Sequence, residues 1–392
     1  MREPEKRRVP PMFWVLLGLF SASYGALFVV GFGSYFQWEW AQHVASAGLN
    51  VLPFVPLILL GTLGNQIPIC RILTVCYWVL LAVLGVFLVA TVSTLSVINW
   101  EMYDQLRAAG QSSQILDAFP PGSLSQVKTI VFLCVAAVAV GLMCYTSTFR
   151  QIAARWIPID ADSFVHAVAL ATVVAMTLGF FVPLLVLRAP PLLALAPHMP
   201  KNEEGLVDQY SLLLWMVPVA ILAAGFPLVR NFHATLRRLG LVKPTFLQVL
   251  FAIFATGFLL ALMQILSRGI AMLWQSFNWP QTDEKAFEEL LKFAFSTAGA
   301  IAVGVTAGVS EELAFRGLLQ PRIGILLSNL LFTSIHAYQY HWDGLVSVFV
   351  IGLILGRIRE RTNTTTSALI HGLYDFVLVL GAVYQVPGFT SQ

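Results

Sequence analysis

Charge is what this sequence has least of. Of its 392 residues, 11% are Asp, Glu, Lys or Arg, against about 25% in soluble domains. Hydrophobic residues make up 58%, and the mean hydropathy is +0.78. So little charge, spread between apolar runs near span length, excludes a soluble globular domain and describes a polytopic, all-α membrane protein. Cysteine is scarce as well. Cys70, Cys76, Cys134 and Cys144 lie in or beside apolar runs without metal-ligand spacing, and they read as inert thiols. No basic patch marks a nucleic-acid surface, no internal repeat is visible and there is no low-complexity tract.

The apolar runs predict about eleven transmembrane helices: 12–36, 49–67, 72–98, 129–149, 163–187, 210–229, 245–266, 291–314, 323–340, 344–357 and 366–385. Pro53 and Pro56 make the second kinked or short. The run after Arg8 is long enough to remain as a span, so no cleavable leader is expected. Loops rich in Arg and Lys (Arg71, Arg150/Arg155, Arg230–Lys243, Arg357–Arg361) alternate with loops containing Glu101, Asp104 and Asp117, or Glu203, Glu204 and Asp208. That alternation predicts a cytoplasmic N-terminus and an opposite C-terminus in a plasma or inner membrane. Asn278–Lys292 reads as a solvated helix. A shift in composition near Lys243 divides the chain into an N-terminal bundle, 1–243, and a C-terminal part, 244–392. Ionisable residues inside spans concentrate in the second part.

The stretch Gly308–Gly317 places Glu311, Glu312 and Arg316 directly after an apolar run. Facing lipid, these three charges would cost on the order of 8 kcal/mol, so they are expected to face inward. In an α-helix Glu312 and Arg316 share a face and can pair, whereas Glu311 points about 100° away and needs another partner. Farther on, Phe332 precedes His336 by four residues, and His371 precedes Asp375 by four, so that Asp375 can orient His371.

Two chemical arrangements fit these residues. In one, Glu311 with His336 deprotonates a water that attacks an amide carbonyl, while His371 and its neighbour stabilise the oxyanion. In the other, Glu311, His336 and His371 ligate a divalent metal such as zinc, with an open position for water. Both lead to hydrolysis. His-Glu-x-x-His is absent, as are Gly-x-Ser-Gly and Gly-x-Gly-Asp, so the common zinc, serine and aspartyl patterns do not apply.

Glu311-Glu312…Arg316, Phe332…His336 and His371…Asp375, in this order on successive spans, resemble the CPBP family. These are the CAAX-processing and bacteriocin-processing intramembrane endopeptidases, also called the Abi family. The resemblance covers roughly Phe246 to Tyr384. It implies a helical protease core and a peptide or protein substrate in or near the bilayer. It implies that Glu311 and His336 activate the water, that His371 and Asp375 bind the oxyanion, and that Glu312, Arg316 and Phe332 position them. Of the family's two descriptions, metal-dependent and glutamate-type, the glutamate reading without cofactor is preferred. The family allows Asp or Asn at position 375; an Asp there is either protonated or serves mainly to position His371.

A proton-coupled transporter could use the same Glu, His and Asp side chains as a relay. It would be expected to carry related halves, and the halves here differ in polar content. A catalytically silent membrane scaffold or immunity protein is a third class. His166 reads as a buried polar contact, His341 and Asp343 as loop residues, and Trp38, Trp40, Trp100 and Trp279 as an interfacial belt. If His336 lies about 20 Å along its span and His371 near the start of its own, the two meet only through tilted or broken helices.

Overall fold

The computed structural model describes residues 35–198 and 205–386, with scattered positions between 18 and 32. Among them every regular element is helical. The principal helices are α1 (Glu39–Leu49), α2 (Phe54–Leu63), α3 (Pro68–Ser96), α4 (Ser123–Met143), α5 (Phe164–Leu187), α6 (Gly205–Ala223), α7 (Phe232–Leu239) and α8 (Phe246–Ser276). They continue with α9 (Thr297–Thr306), a π-helical segment (Ala307–Leu319), α10 (Gln320–Ile335), α11 (Trp342–Arg361) and α12 (Thr364–Val383).

Seven helical stretches among the described residues are long and apolar enough to cross a membrane, or eight if α1 and α2, bent by 41°, form one broken span. The chain is an integral membrane protein. Its surface agrees: α8 exposes Phe246, Phe254, Phe258 and Ile265 along one side and buries Ala252, Leu259 and Met263 on the other. The expected number of spans is reached only in part, for identifiable reasons. The first run, 12–36, and the N-terminal basic residues lie largely outside the described residues, as do Glu203 and Glu204. The run at 49–67 forms only the second arm of the bent pair, Phe54–Leu63; the first arm, Trp40–Leu49, precedes it, with the break at 50–53. α11 exists, but Asp343 and Arg357–Arg361 give it more charge than the seven carry. Asn278–Lys292 is helical only in part, over Glu284–Leu290, where Asp283 caps the first turn by accepting from the Ala286 amide.

The runs 291–314 and 323–340, expected as separate spans, are continuous in one helical stretch, Thr297–Tyr338. Gln320 and Arg322, which fall at the expected connection between those spans, are buried like Arg316. Gln320 donates to the Gly356 carbonyl at 2.9 Å, and Arg322 donates to the carbonyls of Leu318 and Ala223 at 2.7 and 3.0 Å. With these partners the polar residues need not reach water. The stretch has 42 residues, about 63 Å if straight, or twice a bilayer's hydrocarbon core. It is not straight. Gly324, at φ 82° and ψ 170°, breaks it into two arms in a conformation open essentially only to glycine.

The core runs across the 243/244 boundary. Trp78, Phe164 and Leu170 share one apolar cluster with Phe315, Ile323 and Phe332. Within the C-terminal part, α12 lies unusually close to α9 and the π segment. A Cβ at Gly308 would stand 2.7 Å from the Ala368 carbonyl oxygen, and one at Gly372 would stand 2.7 Å from that of Gly304. Small residues let membrane helices approach in this way.

Gly308→Ala should therefore lower the thermal stability of the protein in detergent by about 1–3 kcal/mol, the cost of overpacking. Gly257→Ala on α8, where an added Cβ meets nothing within 4 Å, should leave it unchanged or slightly raised. Equal unfolding temperatures for the two variants would remove the close crossing as a constraint.

Candidate active site

The π segment carries Glu311, Glu312 and Arg316. A π-helix closes i→i+5 hydrogen bonds and is seen mostly as a single-turn bulge, often at functional sites; here it extends over 13 residues. More residues per turn mean a smaller rotation between neighbours. The adjacent carboxylates do not go to separate partners, as α-helical spacing predicts, but face the two nitrogens of one imidazole. Glu312 Oε1 lies 2.9 Å from His371 Nδ1, and Glu311 Oε2 lies 3.9 Å from His371 Nε2.

Glu312 is fully buried and completely engaged. Its Oε1 also faces Arg316 Nη1 at 3.0 Å, and its Oε2 accepts from Ser367 Oγ at 2.7 Å. The expected pair with Arg316 is present. Burial of a carboxylate is tolerable only with such partners. Arg316 donates in addition to the Gly352 carbonyl at 3.2 Å and lies over the Phe332 ring, 4.4 Å from its centroid, a cation–π contact. A Cβ at Gly352 would collide with the Asn329 side chain, so glycine there keeps α11 close enough to offer that carbonyl.

Phe332 is the hinge of the group. Its ring stands edge-on to Phe315 at 5.2 Å and lies 4.9 Å from His336 and 6.1 Å from His371, measured between ring centroids. Two histidines expected at different depths thus border the same phenyl ring. His336 caps the end of α10, twelve residues beyond the Gly324 break, while His371 lies in the interior of α12. His336 Nδ1 is 2.8 Å from the Phe332 carbonyl oxygen. A carbonyl can only accept, so Nδ1 carries the hydrogen and Nε2 of the neutral ring is left as an acceptor.

His371 Nδ1 meets a carboxylate and so donates. Its Nε2 faces Asp375 Oδ2 at 3.5 Å as well as Glu311, both beyond direct hydrogen-bond range. Side-chain exposure separates the functions. Glu312 is 0% exposed and His371 5%, whereas Glu311 is 30% and Asp375 22% exposed. The two peripheral carboxylates border open space; the central one does not.

Sequence reasoning missed Ser367 and Tyr340, although spacing signalled both. Ser367, His371 and Asp375 follow at intervals of four, and Tyr340 follows His336 by four. The Tyr340 ring lies 6.2 Å from that of His336, measured between centroids, and its phenol is a hydrogen-bond donor at neutral pH. His341 and Asp343, expected in a loop, instead begin α11, His341 at its N-cap and Asp343 in its first turn; Thr282 donates to Asp343 through its amide and its hydroxyl, at 3.0 and 2.7 Å, and accepts from the His341 amide at 2.9 Å. Among the described residues no group of three His, Cys, Asp or Glu side chains is gathered as metal ligands would be.

Residues 293–377 match the family model for the Rce1-like type II CAAX prenyl endopeptidases. The match contains every residue of this cluster and lies wholly in the C-terminal part of the chain. No curated protein and no solved structure matches the chain.

Glu312→Ala, which leaves Arg316 and His371 buried beside an empty position, should destabilise the protein by about 3 kcal/mol or more. Glu311→Gln should change stability by no more than about 0.5 kcal/mol. Thermal unfolding of the two purified variants checks this, and similar losses in both would contradict the division between a central and a peripheral carboxylate.

Proposed function

We propose that the protein is an intramembrane endopeptidase of the glutamate type, acting on a CAAX-type or other membrane-proximal peptide. The observation that carries this reading is the convergence of Glu311 and Asp375 on His371 Nε2 while Nδ1 is committed to Glu312. The family match over the same residues supports it. An alternative use of the cluster as a transporter relay has no observation in its favour.

In the proposed reaction a water lies between Glu311 and Nε2 of His336. Glu311 takes its proton, and the hydroxide adds to the scissile carbonyl carbon. Negative charge develops on the carbonyl oxygen. His371 can donate to that oxygen through Nε2–H while Nδ1–H remains on Glu312, which requires the doubly protonated ring. Three carboxylates around that ring compensate its charge. Asp375 faces the Nε2 side of the imidazolium and offsets its charge, and in this proposal the Tyr340 hydroxyl supplies a further hydrogen bond. The proton on Glu311 then passes to the leaving nitrogen as the C–N bond breaks. Glu312, Arg316, Ser367 and Phe332 act through His371 and His336, by orientation. Residues 1–243 contribute part of the shared core and, in this proposal, present the substrate; the N-terminus is taken to be cytoplasmic.

The test is cleavage of membrane-proximal peptides, including prenylated CAAX tails, by the full chain purified in detergent. Glu311→Gln should lose at least 10²-fold in kcat, the scale of a lost general base. His371→Gln should lose about 10²–10³-fold, the scale of a lost oxyanion donor. A chelator should have no effect. Wild-type cleavage that persists in Glu311→Gln would refute the mechanism, and cleavage abolished by chelator and restored by zinc would replace it with a metal-dependent one.

A further inference from the structure

Away from the Glu311 cluster, a cavity of about 290 Å³ opens between α2, α5, α6, α7 and the start of α10. Three of its lining residues are arginines, Arg230, Arg238 and Arg322; His166, Ser163 and Asn65 add polar groups, and no carboxylate lines it. Among the described residues no Asp or Glu pairs with any of the three guanidiniums. Their partners are backbone carbonyls. Arg230 donates to Ala224 at 2.7 Å, Arg238 to Gly317 at 3.2 Å, and Arg322 to Leu318 and Ala223. Each guanidinium has five N–H donors, so most remain uncommitted. His166 Nδ1 accepts from the Asp160 amide at 2.9 Å, which leaves Nε2–H as another donor. Arg238 shows the strain of this grouping: burial, then Arg230 and Arg359, hold its pKa below the usual arginine value.

A second cavity, of about 320 Å³, adjoins the first and is almost wholly apolar, with Phe54, Leu57, Val168, Met176, Phe315 and Leu331 in its wall. The two share Thr62, Val165, Ala223 and Arg322. A concentration of positive charge without counter-ions, continuous with an apolar chamber in a membrane protein, has the form of a site for one amphiphile. We infer that the paired cavities bind an anionic phospholipid, with its phosphate on Arg230, Arg238 and Arg322 and the first part of an acyl chain in the apolar chamber. Three bidentate-capable guanidiniums suit phosphate oxygens better than point charges would. The apolar chamber favours a lipid over free phosphate, and basic pockets between membrane helices are suited to lipid headgroups. The location gives such a lipid a structural consequence. Arg238 and Arg322 hold the carbonyls of Gly317 and Leu318, the last turn of the π segment that carries Glu311 and Glu312.

The inference is independent of proteolysis, and its test uses binding alone. The full chain, purified in an uncharged detergent and stripped of lipid, is unfolded thermally while phosphatidylglycerol, phosphatidylcholine or inorganic phosphate is titrated. Phosphatidylglycerol should raise Tm with saturation, phosphatidylcholine should need at least fivefold more for the same shift, and phosphate at the same concentrations should do little. Arg230→Gln and Arg238→Gln should each raise the half-saturating phosphatidylglycerol concentration about fivefold, the scale of one arginine near an anionic surface. Both residues are partly exposed, so these variants keep the fold, and their unfolding without lipid verifies it. Ala169→Phe, which narrows only the apolar chamber, should weaken the lipid effect too. Equal responses to the two lipids, a full response to phosphate alone, or unchanged half-saturation in both arginine variants would overturn the inference.

Discussion

The buried carboxylate of Glu312 is the interaction on which the rest of the C-terminal architecture depends. An ionised group with no exposure must be balanced locally, because desolvation costs several kcal/mol even after relaxation. Here a guanidinium, an imidazole and a hydroxyl meet it from three directions. Arg316 is on the same helical stretch, but His371 and Ser367 are on α12. Satisfying this one charge therefore fixes the rotation of α12 against the π segment. It also fixes the orientation of His371, since Nδ1 cannot leave Glu312 without stranding a charge.

The close approach needed for those contacts is a matter of missing side chains. Gly304, Gly308 and Gly372 bring two backbones together where any Cβ would strike a carbonyl. The π-helical winding then changes what adjacent residues can do. Glu311 and Glu312, neighbours on the π segment, both face His371, one at each nitrogen. One carboxylate is thereby committed to structure and the other remains at the edge of open space. That asymmetry leaves Glu311 outside the network that holds Glu312.

The same segment links the cluster to the N-terminal bundle. Its last carbonyls are held by Arg238 and Arg322, and Phe315 borders both the apolar chamber and the Phe332 ring. The C-terminal motifs are thus supported by helices outside the matched family region, since Phe164, Leu170 and Trp78 pack in the same core.

What the sequence determined by itself was the class of the protein and which side chains form its candidate site. Scarcity of charge and the length of the apolar runs specify a helical membrane protein, because lipid leaves backbone polar groups no other general solution. Glu311, Glu312, Arg316, His336, His371 and Asp375 stood out because ionisable groups are costly in a span, and the fold gathers them around one imidazole and the Phe332 ring. Tertiary structure decided the rest. Periodicity could not reveal that Gln320 and Arg322 were buried helical residues rather than a connection between two spans, because their partners at Gly356 and Ala223 are distant in sequence. Nor could it reveal a π-helix or the break at Gly324, which bring His336 and His371 to one phenyl ring. Local spacing records which residues share a face; which faces meet is set by packing between segments that the chain keeps far apart.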